Sequence, residues 1–124
     1  MSIHESGEMY LESIHVLLQQ RGQIRSIDVS EYMGFSKPSV SRAMGLLKKG
    51  GYILVDKDGY ISLTEEGLDV AEKIYERHTF LSNYLIRLGV SKETAMADAC
   101  KMEHDISQET LECAKAFLAR QAGV

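Results

Sequence analysis

Apolar residues recur at helical spacing along most of this chain and switch to alternation only once. Met9, Ile14, Val16, Leu17 and Leu18 place an amphipathic helix from about residue 8 to residue 20, ending near Gly22. Ser26 stands where an N-cap is needed for a short helix through Met33, closed by Gly34. Ser36 caps a third helix, with Pro38 in its first turn where a missing N–H costs nothing, and the Gly50-Gly51 pair stops it. The stretch YILVDKDGYISLT then alternates β-branched and aromatic residues around Asp58-Gly59, the pattern of a hairpin. Thr64 caps a long helix over about 65–88 that Gly89 ends, and Ser91 and Ser107 stand as caps of two more. Internal repeats, low-complexity tracts and flexible linkers are absent from the sequence.

Helix, short helix, tight turn, helix and two-stranded hairpin is the order of a winged helix-turn-helix, and the turn GFSKPS is as short as that motif requires. On the third helix Val40, Met44 and Leu47 share one face, while Pro38, Arg42, Gly45 and Lys49 share the opposite one, flanked by Ser39 and Ser41. A recognition helix needs this division. Small side chains permit close approach to a groove, hydroxyls and a guanidinium meet base edges, and lysines meet phosphates. The candidate DNA contacts are therefore Ser36, Lys37, Pro38, Ser39, Ser41, Arg42 and Lys49, with Lys57 at the tip of the wing. A helical hairpin packed on a small sheet, with an incidental basic face, accounts for the same pattern.

Charge changes the picture only when it is divided along the chain. The 124 residues, 13.9 kDa, carry a net charge of −4, which taken whole argues against nucleic acid as a partner. Residues 1–64 hold seven basic and seven acidic side chains, and residues 65–124 hold seven basic and eleven acidic ones. Between Glu31 and Asp56 there is no acid, yet Lys37, Arg42, Lys48 and Lys49 all fall there. The expected layout is mainly α: a winged helix-turn-helix over 1–64, then an all-helical domain over 65–124. With 44% apolar and 26% charged residues the chain reads as an ordinary globular mixture. No apolar run approaches the ~20 residues needed to cross a bilayer. The N-terminus shows no secretory signal, and two cysteines, Cys100 and Cys113, in such a chain fit a reducing compartment. A cytoplasmic protein with no membrane partner is expected.

The helical half carries apolar positions at Phe80, Leu81, Tyr84, Leu85 and Ile86 that suit a dimer interface. About 60 residues bury little core alone. A two-fold homodimer would set two recognition helices against half-sites about 34 Å apart. The chemistry sits in CKMEH, where Cys100, Glu103 and His104 are spaced i, i+3, i+4 and would project from one helix face. Thiolate, carboxylate and imidazole together can supply three bonds to a divalent transition metal. Met9 and Glu12 repeat the i, i+3 spacing on the first helix, and His78 on the long helix is a further candidate ligand. Each has a plainer explanation: Met9 as core, Glu12 as a solvated charge, His78 as a surface imidazole, Cys100 as a small buried hydrophobe. His4, His15 and Cys113 receive no role.

These segments together resemble the diphtheria-toxin-repressor/manganese-transport-regulator family of metal-dependent repressors. The resemblance is carried by EMYLESIHVL, SKPSVSRAMGLLKKGGYI, GYISLTEEG, ERHTFLSNYL and ACKMEHDIS, spread over nearly the entire chain. It implies metal-activated binding to operators of metal-uptake genes by a winged-helix domain joined to a metal-binding and dimerisation domain. Met9, Cys100, Glu103 and His104 match the primary site of the iron-responsive branch. Glu12 and His78 match positions of the manganese-responsive branch, where carboxylates stand in the places of Met9 and Cys100. At Ser82 and Met96 the chain departs from the iron branch, which has a carboxylate and a histidine there. Without the SH3-like third domain of many iron-branch members, the layout looks like the manganese branch.

Donor chemistry weighs the metal. Thioether and thiolate are soft, whereas Mn²⁺ prefers oxygen and sits lowest in the divalent affinity order. Met9 and Cys100 tilt the site toward Fe²⁺, with Co²⁺, Ni²⁺ or Zn²⁺ able to substitute in vitro, and Glu12 pulls toward Mn²⁺. Two rivals belong to other classes. One is a metal-independent or redox-sensing winged-helix regulator that uses the Cys100 thiol. The other is a small metalloenzyme, against which stands the lack of a nucleophile–base pair or a spare acid or base. The expectation is a regulator without enzymatic activity or a small organic substrate.

Overall fold

Tyr10, Leu11, Ile14 and Leu17 are buried along α1 (Glu5–Arg21), the three-to-four spacing that keeps one stripe of a helix against a core. The structure, a computed structural model, describes residues 5–122; His4 lies outside them. The helix begins before the expected residue 8. Its first turn carries Glu5 and Glu8 and its last Arg21, each sign complementing the helix dipole where apolar periodicity is silent.

Ser26 is not the cap of α2 (Ser26–Met33). Arg25 holds that position with an extended backbone, and its N–H donates to Asp28 Oδ2 at 2.8 Å. An acid three residues into the helix thus satisfies the cap from the other side. Gly34 closes the helix in the left-handed region, at φ +72°. Ser36 caps α3 (Lys37–Lys49), its hydroxyl accepting from the Ser39 N–H, with Pro38 in the first turn. Val40, Met44 and Leu47 are buried and join the α1 stripe with Ile24, Val29, Ile53 and Ile61 in one core.

β1 (Ile53–Val55) and β2 (Ile61–Leu63) pair antiparallel, with Leu54 opposite Ser62. Asp58-Gly59 does not form a two-residue turn on its own. Asp56 Oδ1 accepts from the N–H groups of both Asp58 and Tyr60 at 2.9 Å, and Gly59 takes φ +87°, so the turn is built one residue wider. The Ile61 N–H donates to Ile24 O at 2.9 Å, which ties the segment before α2 to the wing.

Thr64 stands immediately before α4 (Glu65–Arg87), accepting from the Gly67 N–H at 3.1 Å and donating to Gly51 O at 2.6 Å. This close approach leaves no room at Gly67, where an added Cβ would overlap the Tyr52 carbonyl. Helix propensity favours alanine over glycine by about 1 kcal/mol, but overpacking against backbone typically costs about 1–3 kcal/mol. Gly67→Ala is therefore expected to lower unfolding free energy by up to about 2 kcal/mol, read from denaturant midpoints; a more stable variant would show that the wing root has slack.

Packing divides the chain inside α4, one compact unit running to Lys73 and the other beginning at Ile74. The division falls there because Val70 and Ala71 pack into the core of the first unit. The second unit comprises the rest of α4, α5 (Lys92–Met102) and α6 (Gln108–Ala122), with Ser91 and Ser107 hydroxyls accepting from the Thr94 and Thr110 N–H groups. Gly89 follows α4 at φ +107°. Leu81, Ala99 and Leu111 form this unit's own core, with Phe80 and Ile106 against it. Leu81 is thus unavailable to the dimer surface expected of it, since at 2% exposure it faces inward. Ile86, Leu88, Met96 and Phe117 are exposed. On the outer side Lys115 Nζ lies 2.9 Å from Glu76 and holds that carboxyl below its usual range, by hydrogen bond and charge. No helix among the described residues is long and apolar enough to cross a membrane.

Candidate metal centre and nucleic-acid face

Glu103 is the anomaly of the second unit, a carboxylate side chain with no exposed surface. Burying a charge costs several kcal/mol unless partners compensate it. Here both oxygens face imidazoles. His78 Nδ1 lies 2.8 Å from Oε2 and His104 Nε2 lies 3.3 Å from Oε1, the His104 side chain being 1% exposed. Cys100, on the last full turn of α5, completes the group: one donor atom each from His78, Cys100 and Glu103 lie within 4.8 Å of one another. The thiol belongs to an exposed residue, not to the buried core.

The helical spacing that suggested Cys100, Glu103 and His104 holds only in part. α5 stops at Met102; Glu103 still has helical backbone, its N–H donating to Ala99 O at 2.9 Å, whereas His104 lies in the turn beyond. His78 arrives from α4, a sequence separation of 25 residues from Glu103 that no local pattern could reveal. Met9 and Glu12 are half-buried on α1 of the first unit.

The three clustered donors suit a divalent transition metal. Ligand atoms bonded at about 2.0–2.3 Å to one ion in a tetrahedral shell stand roughly 3.3–3.8 Å apart, so a contraction of about 1 Å at the widest pair would bring nitrogen, sulfur and oxygen onto a common centre. Ser82 and Met96 add no donor of the kind a second site would need. Ser82 Oγ is buried without a hydrogen-bond partner, and Met96 is exposed.

Sequence reading missed Arg77. Its guanidinium donates from Nη1 to the carbonyls of Glu103 and Ile106, at 3.1 and 3.0 Å, and from Nη2 to Gln108 Oε1 at 2.8 Å. Arginines are common on long helices, and nothing local distinguishes this one.

In the first unit Lys37, Pro38, Ser39, Ser41, Arg42, Gly45 and Lys49 are all exposed along α3, opposite the buried Val40, Met44 and Leu47. Ser36 is exposed as well, but its hydroxyl donates to Ser39 Oγ at 2.9 Å while capping the helix. That leaves Arg42 as the long, forked donor on the face. Lys57 is exposed at the hairpin tip, between Asp56 and Asp58, which weakens its local field. Arg25 lies 4.4 Å over the Tyr60 ring and braces the loop end of the same hairpin.

A winged helix whose third helix shows an acid-free basic face, followed by a helical unit with a nitrogen–sulfur–oxygen cluster, defines the class of metal-responsive DNA-binding regulators. Residues 2–61 match the iron dependent repressor N-terminal DNA binding domain, and residues 64–121 match the iron dependent repressor metal binding and dimerisation domain. The chain is 39% identical over 108 residues to the transcriptional regulator MntR of Salmonella typhimurium, covering 87% of this chain and 69% of that protein. It is 30% identical to a helix-turn-helix transcriptional regulator of Methanocaldococcus jannaschii, over 94% of each. Among solved structures the manganese regulator SloR is similar at TM-score 0.80 and 27% identity, covering 96% of this chain and 55% of that one. The chain thus spans about half the length of that solved structure. It belongs to the diphtheria-toxin-repressor/manganese-transport-regulator family of metal-dependent transcriptional repressors.

Proposed function

We propose that the protein is a repressor that binds operator DNA of metal-uptake genes as a homodimer when loaded with a divalent metal, Fe²⁺ by preference. The observation that carries this reading is the fully buried Glu103 carboxylate held between two histidines beside the Cys100 thiol. His78, Cys100 and Glu103 would hold the ion, His104 would serve as a ligand or fix the carboxylate, and Met9 and Glu12 of α1 would supply further donors. A bound divalent cation supplies the positive charge that offsets the Glu103 carboxylate and the Cys100 thiolate. Loading would thereby be read out at the recognition helices of the dimer. A coupling of about 1–3 kcal/mol changes DNA affinity about 5–150-fold. Ser36, Lys37, Pro38, Ser39, Ser41, Arg42, Lys49 and Lys57 make up the DNA face of this reading.

Manganese is the second reading. It is favoured by the Glu12 and Glu103 carboxylates, and by similar solved proteins that are themselves named a manganese regulator and a manganese-activated repressor. Thermal melting under strict anaerobiosis separates the two, because an ion that binds only the folded state stabilises it by about 2.7 kcal/mol at a hundred times its dissociation constant. Fe²⁺ is expected to raise Tm at a lower concentration than Mn²⁺. The reverse order makes manganese the effector, and no shift with either ion removes the metal site.

A further inference from the structure

Two adjacent residues of α4 hold the two ends of one residue beyond α5. His78 faces the Glu103 carboxylate from 2.8 Å, while Arg77 binds the Glu103 carbonyl oxygen from 3.1 Å. Arg77 does not stop there. The same Nη1 reaches Ile106 O at 3.0 Å and Nη2 reaches Gln108 Oε1 at 2.8 Å, so one guanidinium spans the whole turn from the end of α5 to the start of α6. The Gln108 amide in turn donates to Glu112 at 3.2 Å, anchoring the grip in the first turns of α6.

We propose that Arg77 is the positioning residue of the metal centre, fixing the Glu103 main chain so that its carboxylate, and His104 after it, stay directed at the donors of α4 and α5. α5 ends at Met102; Glu103 keeps the helical N–H bond to Ala99 O, whereas the chain turns at His104 and the Glu103 carbonyl points beyond the helix end. Carbonyls at a helix C-terminus lack intrahelical partners, and a cation there is favoured by the helix dipole as well as by hydrogen bonding. Arginine suits the task because its rigid fork can meet several acceptors at once, which the single ammonium of lysine cannot do in the same geometry. A metal that took the Glu103 carboxylate away from His78 Nδ1 would leave the Arg77 contacts untouched, since these go to main-chain oxygens and to Gln108. The grip thus persists through loading.

The inference rests on the metal centre proposed above, and cobalt titration tests both separately. Anaerobic Co²⁺ added to the full chain is expected to give a thiolate-to-cobalt charge-transfer band through Cys100. Arg77→Met is expected to weaken Co²⁺ binding about 10–100-fold, the usual cost of removing a group that orients a metal ligand. Its Tm in chelator should stay close to that of the parent. Arg77→Lys should recover part of the affinity, and Gln108→Ala, which leaves both carbonyl contacts in place, should lose less than Arg77→Met. Unchanged Co²⁺ affinity in Arg77→Met would overturn the positioning role while leaving the metal centre standing. An affinity loss matched by an equal loss of stability in chelator would also overturn it, showing Arg77 to be a fold residue only. If Arg77→Met fails to fold, Gln108→Ala decides: wild-type-like cobalt affinity in that variant and in Arg77→Lys counts against the proposal. No cobalt band in the parent chain would remove the metal centre and this inference with it.

Discussion

Glu103→Ala is expected to abolish metal-activated DNA binding while leaving the dimer intact. The carboxylate is the hub of the cluster, within contact of His78 and His104 and within 4.8 Å of the Cys100 donor group. Its removal takes away the carboxylate that, among the described residues, is the fully buried acidic group a cation would meet. Loss of groups that merely orient ligands costs about 10–100-fold in metal affinity, so losing a ligand should cost at least about 100-fold. Alanine also relieves the burial cost of an ionised group, so the apo variant should melt no lower than the parent. Calorimetric titration with Mn²⁺ and Co²⁺, with size-exclusion chromatography coupled to light scattering for the dimer, reads both halves. A variant that still binds metal tightly would move the centre elsewhere; one that becomes monomeric would show that Glu103 holds the interface instead.

Arg42→Ala should produce the complementary defect, weaker DNA binding with metal affinity unchanged. Arg42 is exposed on α3 opposite the buried stripe of Val40, Met44 and Leu47, with the Ser36 hydroxyl already engaged in the cap. A forked donor placed on a base edge is worth about 1–3 kcal/mol, or roughly 5–150-fold in operator affinity. Specificity should fall more than overall affinity, because phosphate contacts of the kind proposed for Lys37 and Lys49 act on any sequence. Competition between operator and unrelated duplex DNA at fixed salt measures this ratio. A uniform loss on both DNAs would make Arg42 a backbone contact, and a loss of metal binding would join roles that the fold keeps on separate units.

Most of the winged helix was legible because its signals are local. Ser36, Gly34, Thr64 and Gly89 are punctuation whose effect is felt within a few residues, and each stands where its helix starts or stops. The failures have the same root. Ser26 has the better side chain for a cap, yet Asp28 caps the helix through the Arg25 N–H, a choice made by the chain three residues on. Leu81 looked like an interface residue because a helical wheel shows a stripe but not what lies against it; Ala99 and Leu111 cover it. At the metal centre, the Cys100–Glu103 pair was readable from spacing, and the turn at His104 was not. His78 and Arg77 depend on a long-range approach of α4 to the segment after α5, which sequence spacing does not encode.

Metal binding and DNA binding are expected to be coupled in this one chain. Fluorescence anisotropy of labelled candidate operator DNA, titrated anaerobically with the protein first in chelator, then with Fe²⁺ and then with Mn²⁺, tests it most directly. Binding that tightens about 5–150-fold on adding metal is the predicted result. Equal DNA affinity in chelator and in both metals would contradict it, leaving a winged helix that binds DNA without the switch.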